Sequence, residues 1–369
     1  MKVYAAAFSR QGRDLVNRIG AIPLSVCYGT VPLLCGGKWV EGGISLQIRE
    51  QEPLEQWAAE AFAEGAPLIF VGAVGIAVRA VASAAASKRT DSPVLVVDEQ
   101  GRFVIPLLSG HLGGANELAM ELARGLGAQP VITTATDVNK VFAADVFARK
   151  NNLTVLDTAG IAKVSARVLQ GKKVRIAVEG MEEQELAKLQ LPPNVIPSSW
   201  SACIRGGTAR PDLVVCSVEN QNLLETDLVL TERNYILGIG CKKGKSADEM
   251  FSVLMQAQRN GILKLEQIAA IASIDAKEEE PGLLELAQRL RRPFCVFGAE
   301  ELMALPGRFT ASGFVEQTVG VDNVCERAAV AAAGGGIIVV PKRAGSGMTF
   351  ALAELSEKSK KERRLRFDG

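Results

Sequence analysis

Histidine is almost missing from this chain: His111 is the only one in 369 residues. That excludes a multi-histidine metal site, and the cysteines form no clustered set that would replace it. The seven cysteines (27, 35, 203, 216, 241, 295 and 325) are odd in number, scattered, and contain no Cys-x-x-Cys pair. This argues against a disulfide framework and for a reducing cytoplasm. The expected resident metal and cofactor are therefore none, and any metal has to arrive inside a ligand. An excess of charge is missing too. With 42 basic and 41 acidic residues, neither a nucleic acid nor a membrane surface is expected as partner. The most apolar run, Pro67 to Val78, is too short to span a bilayer and is interrupted by Gly72 and Gly75. Met1-Lys-Val-Tyr-Ala-Ala-Ala-Phe8 runs straight into Ser-Arg-Gln-Gly-Arg and does not read as a secretory signal. A soluble, cytoplasmic protein is expected.

What is present is 48% hydrophobic residue content, enough for sizeable cores, in a length that suggests two or three domains of roughly 100 to 200 residues. Strand and helix patterns alternate throughout, which predicts an α/β fold: three α/β units with mainly parallel sheets in Rossmann-like layers. The units are expected at 1–139, 140–233 and 234–369. Lys2 to Ala7 reads as a first strand, and Ser9 as the cap of a helix through Ile19. Gly36-Gly37 and Gly42-Gly43 are turn signals. Pro53 to Glu64 reads as an amphipathic helix, Pro67 to Val71 as a buried strand, Ile76 to about Ser87 as a helix, and Val94 to Val97 as a strand closed by the turn Asp98-Glu-Gln-Gly101. A parallel crossover then places the loops at the strand ends on one edge of the sheet, with His111 beside Gly72 to Gly75.

The stretch Pro106-Leu-Leu-Ser-Gly-His-Leu-Gly-Gly-Ala-Asn-Glu117 carries the most chemistry. It follows the apolar strand Arg102 to Leu108 and opens a helix with apolar residues at Leu118, Ala119, Leu122 and Leu126. Gly110, Gly113 and Gly114 permit close backbone approach, so an anion or oxyanion can sit at the helix N-terminus, beside the one side chain that ordinarily titrates near neutrality. The plainer reading is a histidine that only hydrogen-bonds or caps.

Other candidates surround it. Arg79, the one charge in a long apolar surrounding, is either a carboxylate clamp or a snorkelling arginine. Pro130-Val-Ile-Thr-Thr-Ala-Thr-Asp137 reads as a strand ending in hydroxyls, Thr134 and Thr136 among them, and a carboxylate. Those groups would bond a polar ligand or the histidine's other nitrogen, or serve as strand threonines and a helix cap. The middle unit, with Val141 to Lys150 as its first helix, shows few chemical candidates and is read as able to close over a ligand. In the third unit Tyr235 to Gly240 is a strand, Cys241-Lys-Lys-Gly-Lys245 a loop, and Ser246-Ala-Asp-Glu249 a capping box. Lys242, Lys243 and Lys245 thus precede a helix N-terminus, although Gly238 and Gly244 lack Walker A spacing. Pro341-Lys-Arg-Ala-Gly-Ser-Gly347 is expected to be a second cationic edge loop, with Lys342 and Arg343. Ser356 to Arg366 reads as a solvated or frayed tail.

Ser109-Gly-His-Leu-Gly-Gly-Ala-Asn-Glu117, Val131-Ile-Thr-Thr-Ala-Thr-Asp137 and Gly72-Ala-Val-Gly-Ile-Ala-Val-Arg79 closely resemble the cobalt-precorrin-5A hydrolase family of anaerobic cobalamin biosynthesis. So do Gly238-Ile-Gly-Cys-Lys-Lys-Gly244, Val319-Gly-Val-Asp-Asn-Val-Cys-Glu326 and the Lys342 to Thr349 segment of the third unit. The first fifty residues and the middle unit match only loosely. The resemblance implies hydrolytic opening of the δ-lactone joining the ring A acetate to C20, loss of C20 and its methyl group as acetaldehyde, and cobalt-precorrin-5B as product. It also implies that cobalt comes within a tetrapyrrole substrate whose acetate and propionate arms meet lysines.

On that basis His111 is expected to be the general base that activates water. Backbone N–H groups from Gly113 to Ala115, with Ser109, would stabilise the oxyanion, and Glu117 or Asp137 would orient the imidazole. Gly72, Gly75, Arg79, Gly110, Asn116, Thr134, Thr136 and the cations Lys242, Lys243, Lys245, Lys342 and Arg343 would bind substrate. Two rivals stay open: a carrier of corrinoid intermediates, which has no need of a group titrating near neutrality, and a hydrolase of another anionic lactone. A homodimer and contacts with neighbouring pathway enzymes are compatible with the sequence.

Overall fold

Continuous apolar runs such as Leu68–Val71, Val94–Val97 and Ile268–Ile274 are buried along their whole length, the signature of strands covered on both faces. The computed structural model describes residues 2–24, 35–40, 45–49, 53–86, 91–204, 210–222, 225–311, 319–362 and 365–367. The turn expected at Gly42–Gly43, Cys27, and the end of the helix expected to reach Ser87 lie outside them. The described strands form three sheets with helices interleaved, an α/β fold.

The strands of the first region are β1 (Lys2–Ala7), β2 (Lys38–Trp39), β3 (Ser45–Ile48), β4 (Leu68–Val71), β5 (Val94–Val97), β6 (Phe103–Leu108) and β7 (Gln129–Pro130). All but β2 make the first sheet, in the order β3-β1-β4-β5-β6-β7. β3, β1, β4 and β5 run parallel, but β6 runs antiparallel to β5, with Val94 opposite Leu108 and Val97 opposite Val104. The turn between them is tight: Asp98 accepts from the backbone N–H groups of Arg102 and Phe103, and Gly101 takes φ 67°. So short a connection leaves no room for a parallel crossover.

The reversal overturns an expectation. Gly72 follows Val71, opposite Val97, whereas Ser109 follows Leu108, opposite Val94. His111 therefore lies at the edge where β4 and β5 begin, and the Gly72–Gly75 turn lies at the other end of the strands, about 10 Å away along them.

The second sheet, β8 (Leu153–Val155), β9 (Val174–Val178), β10 (Val195–Pro197), β11 (Leu213–Cys216) and β12 (Leu228–Glu232), has the order β10-β9-β11-β12-β8 and only β8 antiparallel. The third contains β13 (Tyr235–Cys241), β14 (Ile268–Ile274), β15 (Phe294–Phe297), β16 (Ile337–Gly345) and β17 (Met348–Glu354). Its order is β16-β17-β13-β14-β15-β2, parallel at the centre and antiparallel at both margins.

Two segments leave their own part of the chain. β2 pairs Trp39 with Cys295 at the margin of the third sheet. The tail, expected to fray, forms a helix, Glu357–Glu362, with Ser359 buried and donating to the Ala333 carbonyl. Beyond it Phe367 stacks on Phe147 at 4.6 Å in the second core, and Asn151 brackets the Arg366 backbone at 2.7 and 2.8 Å. One aromatic at the end of a charged run thus has a buried site to fill. Every described cysteine is a free thiol, and no helix among the described residues is long and apolar enough to cross a membrane.

Candidate active site

The chain leaves β6 at Ser109, which takes φ 57° in the left-handed region, an uncommon conformation for a residue with a side chain. Its hydroxyl donates to the Asp91 carbonyl at 2.7 Å, fastening the loop to the start of β5. The loop then closes on the first turn of helix α1 (Ala115–Leu126), capped by Gly114 at φ 86°. Gly113 is obligatory by space: a Cβ there would press on the Ser109 side chain and lie 2.8 Å from its carbonyl oxygen. Leu118, Ala119 and Leu122 anchor the helix in the first core.

Two of the backbone donors expected to line an oxyanion hole, those of Gly114 and Ala115, are turned inward. The Gly114 N–H donates to His111, the Ala115 N–H to Ser109 and the Asn116 N–H to Gly110, at 3.0 to 3.1 Å. Those donors cap the loop's own carbonyls, and the Ser109 hydroxyl is engaged by Asp91.

His111 is held at both nitrogens. Nδ1 lies 3.0 Å from Asp145 Oδ2 and Nε2 lies 2.7 Å from Asp137 Oδ2, with the Thr136 hydroxyl at 3.4 Å. Two ionised carboxylates only accept, so both ring nitrogens carry protons. Burial alone would lower the imidazole's affinity for its second proton. Asp145 and then Asp137, through hydrogen bonds and charge, outweigh it and hold the pKa at about 9. At neutral pH this is an imidazolium, and the expected role of general base does not fit it.

The carboxylates come from the segment after β7. Instead of a strand to Asp137, the chain pairs only at Gln129–Pro130 and then turns at Thr134 into a short helix, Ala135–Val138. Thr136 and Asp137 are thereby aimed back at His111. Asn116 Nδ2 donates to Thr134 Oγ1 and Asp137 Oδ2, both at 2.9 Å, which ties Thr134, Asn116 and Asp137 into one network. Asp145 comes from helix α2 (Ala144–Lys150), and Arg149, four positions on and so on the same face, pairs with Glu117. Glu117 is therefore committed to Arg149, and Asp137 and Asp145 orient the imidazole.

Two clefts flank this loop. One, of about 370 Å³, has Asp137 and Thr136 at its margin, the apolar walls Phe142, Val146 and Phe147, and the cations Lys140 and Arg366. The other, of about 460 Å³, lies where the three sheets' regions meet, with Leu112 in its wall. Five arginines line it, Arg149, Arg233, Arg289, Arg291 and Arg292, together with one carboxylate, Glu266.

Several expected ligand groups lie elsewhere. Arg79 is exposed and donates to the Gly75 carbonyl within its own helix, Val74–Val81, so Gly72, Gly75 and Arg79 stand on the far edge of the first sheet. Lys242, Lys243 and Lys245 follow the carboxyl end of β13, and Lys245 pairs with Glu249 at 2.8 Å. Lys342 and Arg343 sit within β16 rather than on a loop. Glu266 and Arg291–Arg292, by contrast, precede β14 and β15, which run parallel to β13. The lysines and the arginine cleft therefore occupy opposite edges of the third sheet. Asp145 and the cleft arginines escaped sequence reading. The run Arg289-Leu-Arg-Arg292 was a signal for three of the latter.

Fold and site define an α/β protein with an imidazolium held between two carboxylates and a cleft lined by arginines. Family models described as Cobalamin synthesis G N-terminal and Cobalamin synthesis G C-terminus match residues 56–137 and 235–353. A Salmonella typhimurium protein named cobalt-precorrin-5A hydrolase is 37% identical over 280 residues, covering 74% of this chain and 77% of its own. A Priestia megaterium protein of the same name is 30% identical over 291 residues, 78% of each. A Sulfolobus solfataricus crystal structure, described as a cobalamin biosynthesis protein G homolog, aligns over 96% of this chain and 97% of its own, with 19% identity and a TM-score of 0.38. The chain belongs to the cobalamin synthesis G family.

Proposed function

We propose that this chain is a cobalt-precorrin-5A hydrolase, opening the ring A δ-lactone and releasing acetaldehyde to give cobalt-precorrin-5B. The reaction is that of the two bacterial relatives' names. The observation in the molecule that carries it is the imidazolium of His111 fixed between two carboxylates, one of which, Asp137, borders an apolar-walled cleft. Cobalt enters as part of the substrate, with no resident metal or cofactor.

In this reading Asp137, not His111, takes the proton from the attacking water. The bonds from His111 and Asn116 both fall on Oδ2, and the carboxylate reacts through Oδ1. The bonds from His111 and Asn116 fix the carboxylate in place, and a general base has to be held in position. Water adds to the lactone carbonyl, and the ring C–O bond breaks to leave the carboxyl and an alkoxide on C20. The alkoxide expels the macrocycle's electrons: the bond from C20 to the macrocycle breaks, the pair stays on the macrocycle, and C20 leaves with its methyl group as acetaldehyde. The proton held by Asp137 goes to the macrocycle, so the sum is substrate plus one water. The aromatic wall and the cations Lys140 and Arg366 would seat the ring and an acidic arm.

The test is acetaldehyde. Purified protein given cobalt-precorrin-5A is expected to release it while the corrinoid spectrum changes. A corrinoid that binds with its lactone intact would establish the carrier instead, and turnover of a different anionic lactone alone would establish the other rival.

A further inference from the structure

We propose that the tail residues Arg366 and Phe367, brought in by the third region, complete the ligand cleft beside Asp137, with the Arg366 guanidinium receiving a carboxylate of the ligand and Asn151 positioning it; that the ligand is a tetrapyrrole rests on the hydrolase reading. The tail leaves the third region at the helix Glu357–Glu362, where Ser359 is tied to the Ala333 carbonyl at 3.1 Å, and reaches the second core with Leu365 and Phe367. Phe367 closes an aromatic cluster there, 4.6 Å from the Phe147 ring and 6.4 Å from that of Phe142. These three aromatic residues and Arg366 stand in the wall of the cleft of about 370 Å³ that has Asp137 at its margin. A tail that only tied two regions together would need the buried ring and nothing more.

Arg366 is held more closely than that. Asn151, 7% exposed, accepts from the Arg366 N–H at 2.7 Å and donates to its carbonyl at 2.8 Å, and it also donates to the Phe147 carbonyl at 2.8 Å. One buried amide thus satisfies both backbone groups of Arg366 and fixes where its side chain starts. The guanidinium itself is exposed and makes no ion pair with a described residue, whereas Lys360 of the same tail pairs with Glu354 and Glu357. Lys140, just beyond the short helix that carries Thr136 and Asp137, lines the same cleft and also has no ion pair among the described residues. Among the lining residues the one carboxylate is that of Asp137, the proposed base. A planar guanidinium matches a carboxylate with two parallel bonds, so an acidic arm held at Arg366 would register an apolar ring along the aromatic wall.

Two measurements on the full chain test it: fluorescence titration with uroporphyrin I, an octa-acid tetrapyrrole without a lactone, and acetaldehyde release from cobalt-precorrin-5A. Arg366→Gln keeps the backbone bracket and the Phe367 stack, so its urea unfolding midpoint is expected at the wild-type value. Uroporphyrin should nevertheless bind about tenfold more weakly, and KM should rise by a similar factor with kcat within about twofold. Lys358→Gln removes the same charge from the same tail outside the cleft lining and is expected to leave binding and KM within about twofold. Asn151→Ala should weaken binding too, and Asn151→Ala/Arg366→Gln should bind no more weakly than Arg366→Gln, a non-additivity that a merely structural asparagine would not show. Binding within about twofold of the wild type in Arg366→Gln, or equal weakening in Lys358→Gln, overturns the proposal, and additive losses in the double variant overturn the role of Asn151. Acetaldehyde release by Arg366→Gln with a wild-type KM removes the cleft assignment alone. A wild-type chain that binds uroporphyrin through Arg366 but releases no acetaldehyde removes the hydrolase reading alone.

Discussion

The first and third sheets each have two edges, and only one edge of each carries converging chemistry. At the near edges the His111 loop meets Asp137 and Asp145, and Arg291 reaches across to the Asp91 carbonyl. At the far edges stand Gly72–Arg79 and the lysines, with Arg79, Lys242 and Lys243 exposed. Both kinds of edge contain glycine turns, helix N-termini and cations, so residue type does not separate them. Strand direction does, because it decides which loops can meet. The largest test of the contrast is catalytic. Asp137→Asn and His111→Ala are expected to lower kcat/KM for acetaldehyde release by about 10² to 10⁴, and Arg79→Ala to leave it within about twofold. An Arg79 effect as large as the Asp137 effect would break the comparison.

A sharper form uses pH. The folded chain holds the His111 proton to about 9, against 6.5 for the free side chain. A group whose pKa is raised by folding gives stability that is full below its unfolded value and is lost as pH rises through its folded value. Stability measured by urea unfolding should therefore fall between about pH 6.5 and 9, by about 1 to 3 kcal/mol, and His111→Gln should flatten that fall. Activity should decline above about 9 as the imidazolium discharges. A rate that instead rises through that range would restore His111 as the base.

Most of the elements were legible because their signals are local. Ser246 and Glu249 form the capping box that their spacing predicts, and Ser9 caps its helix. The direction of β6 was legible as well: the crossover rule holds for β4 and β5, which a helix separates, but the four turn residues from Asp98 to Gly101 force a hairpin, so the strand after them does not share that edge. That one reversal moved His111 away from Gly72. The imidazolium was not legible, since Asp145 is 34 positions from His111 and meets it only after a helix folds back. Nor was the cleft, whose arginines are spread from 149 to 292 and converge only through tertiary packing. Phe367 was hidden behind a charged run, where only the existing aromatic pair Phe142 and Phe147 explains its burial.

The smallest expected effect falls on the lysines themselves. Lys242 and Lys243 are exposed, and Lys245 pairs with Glu249, whose carboxylate is 57% exposed. Exposed pairs of this kind contribute about 0 to 1 kcal/mol. Lys242→Gln and Lys245→Gln should then change unfolding free energy by no more than about 0.5 kcal/mol and leave acetaldehyde release unaltered at low and high salt alike. Salt is the informative variable, because a lysine that only steers an anion acts through long-range charge that ions screen within about 10 Å at 0.1 M. A loss of rate seen in Lys242→Gln at low salt and abolished at high salt would make the far edge an electrostatic guide. The near edge would still be where the bonds break.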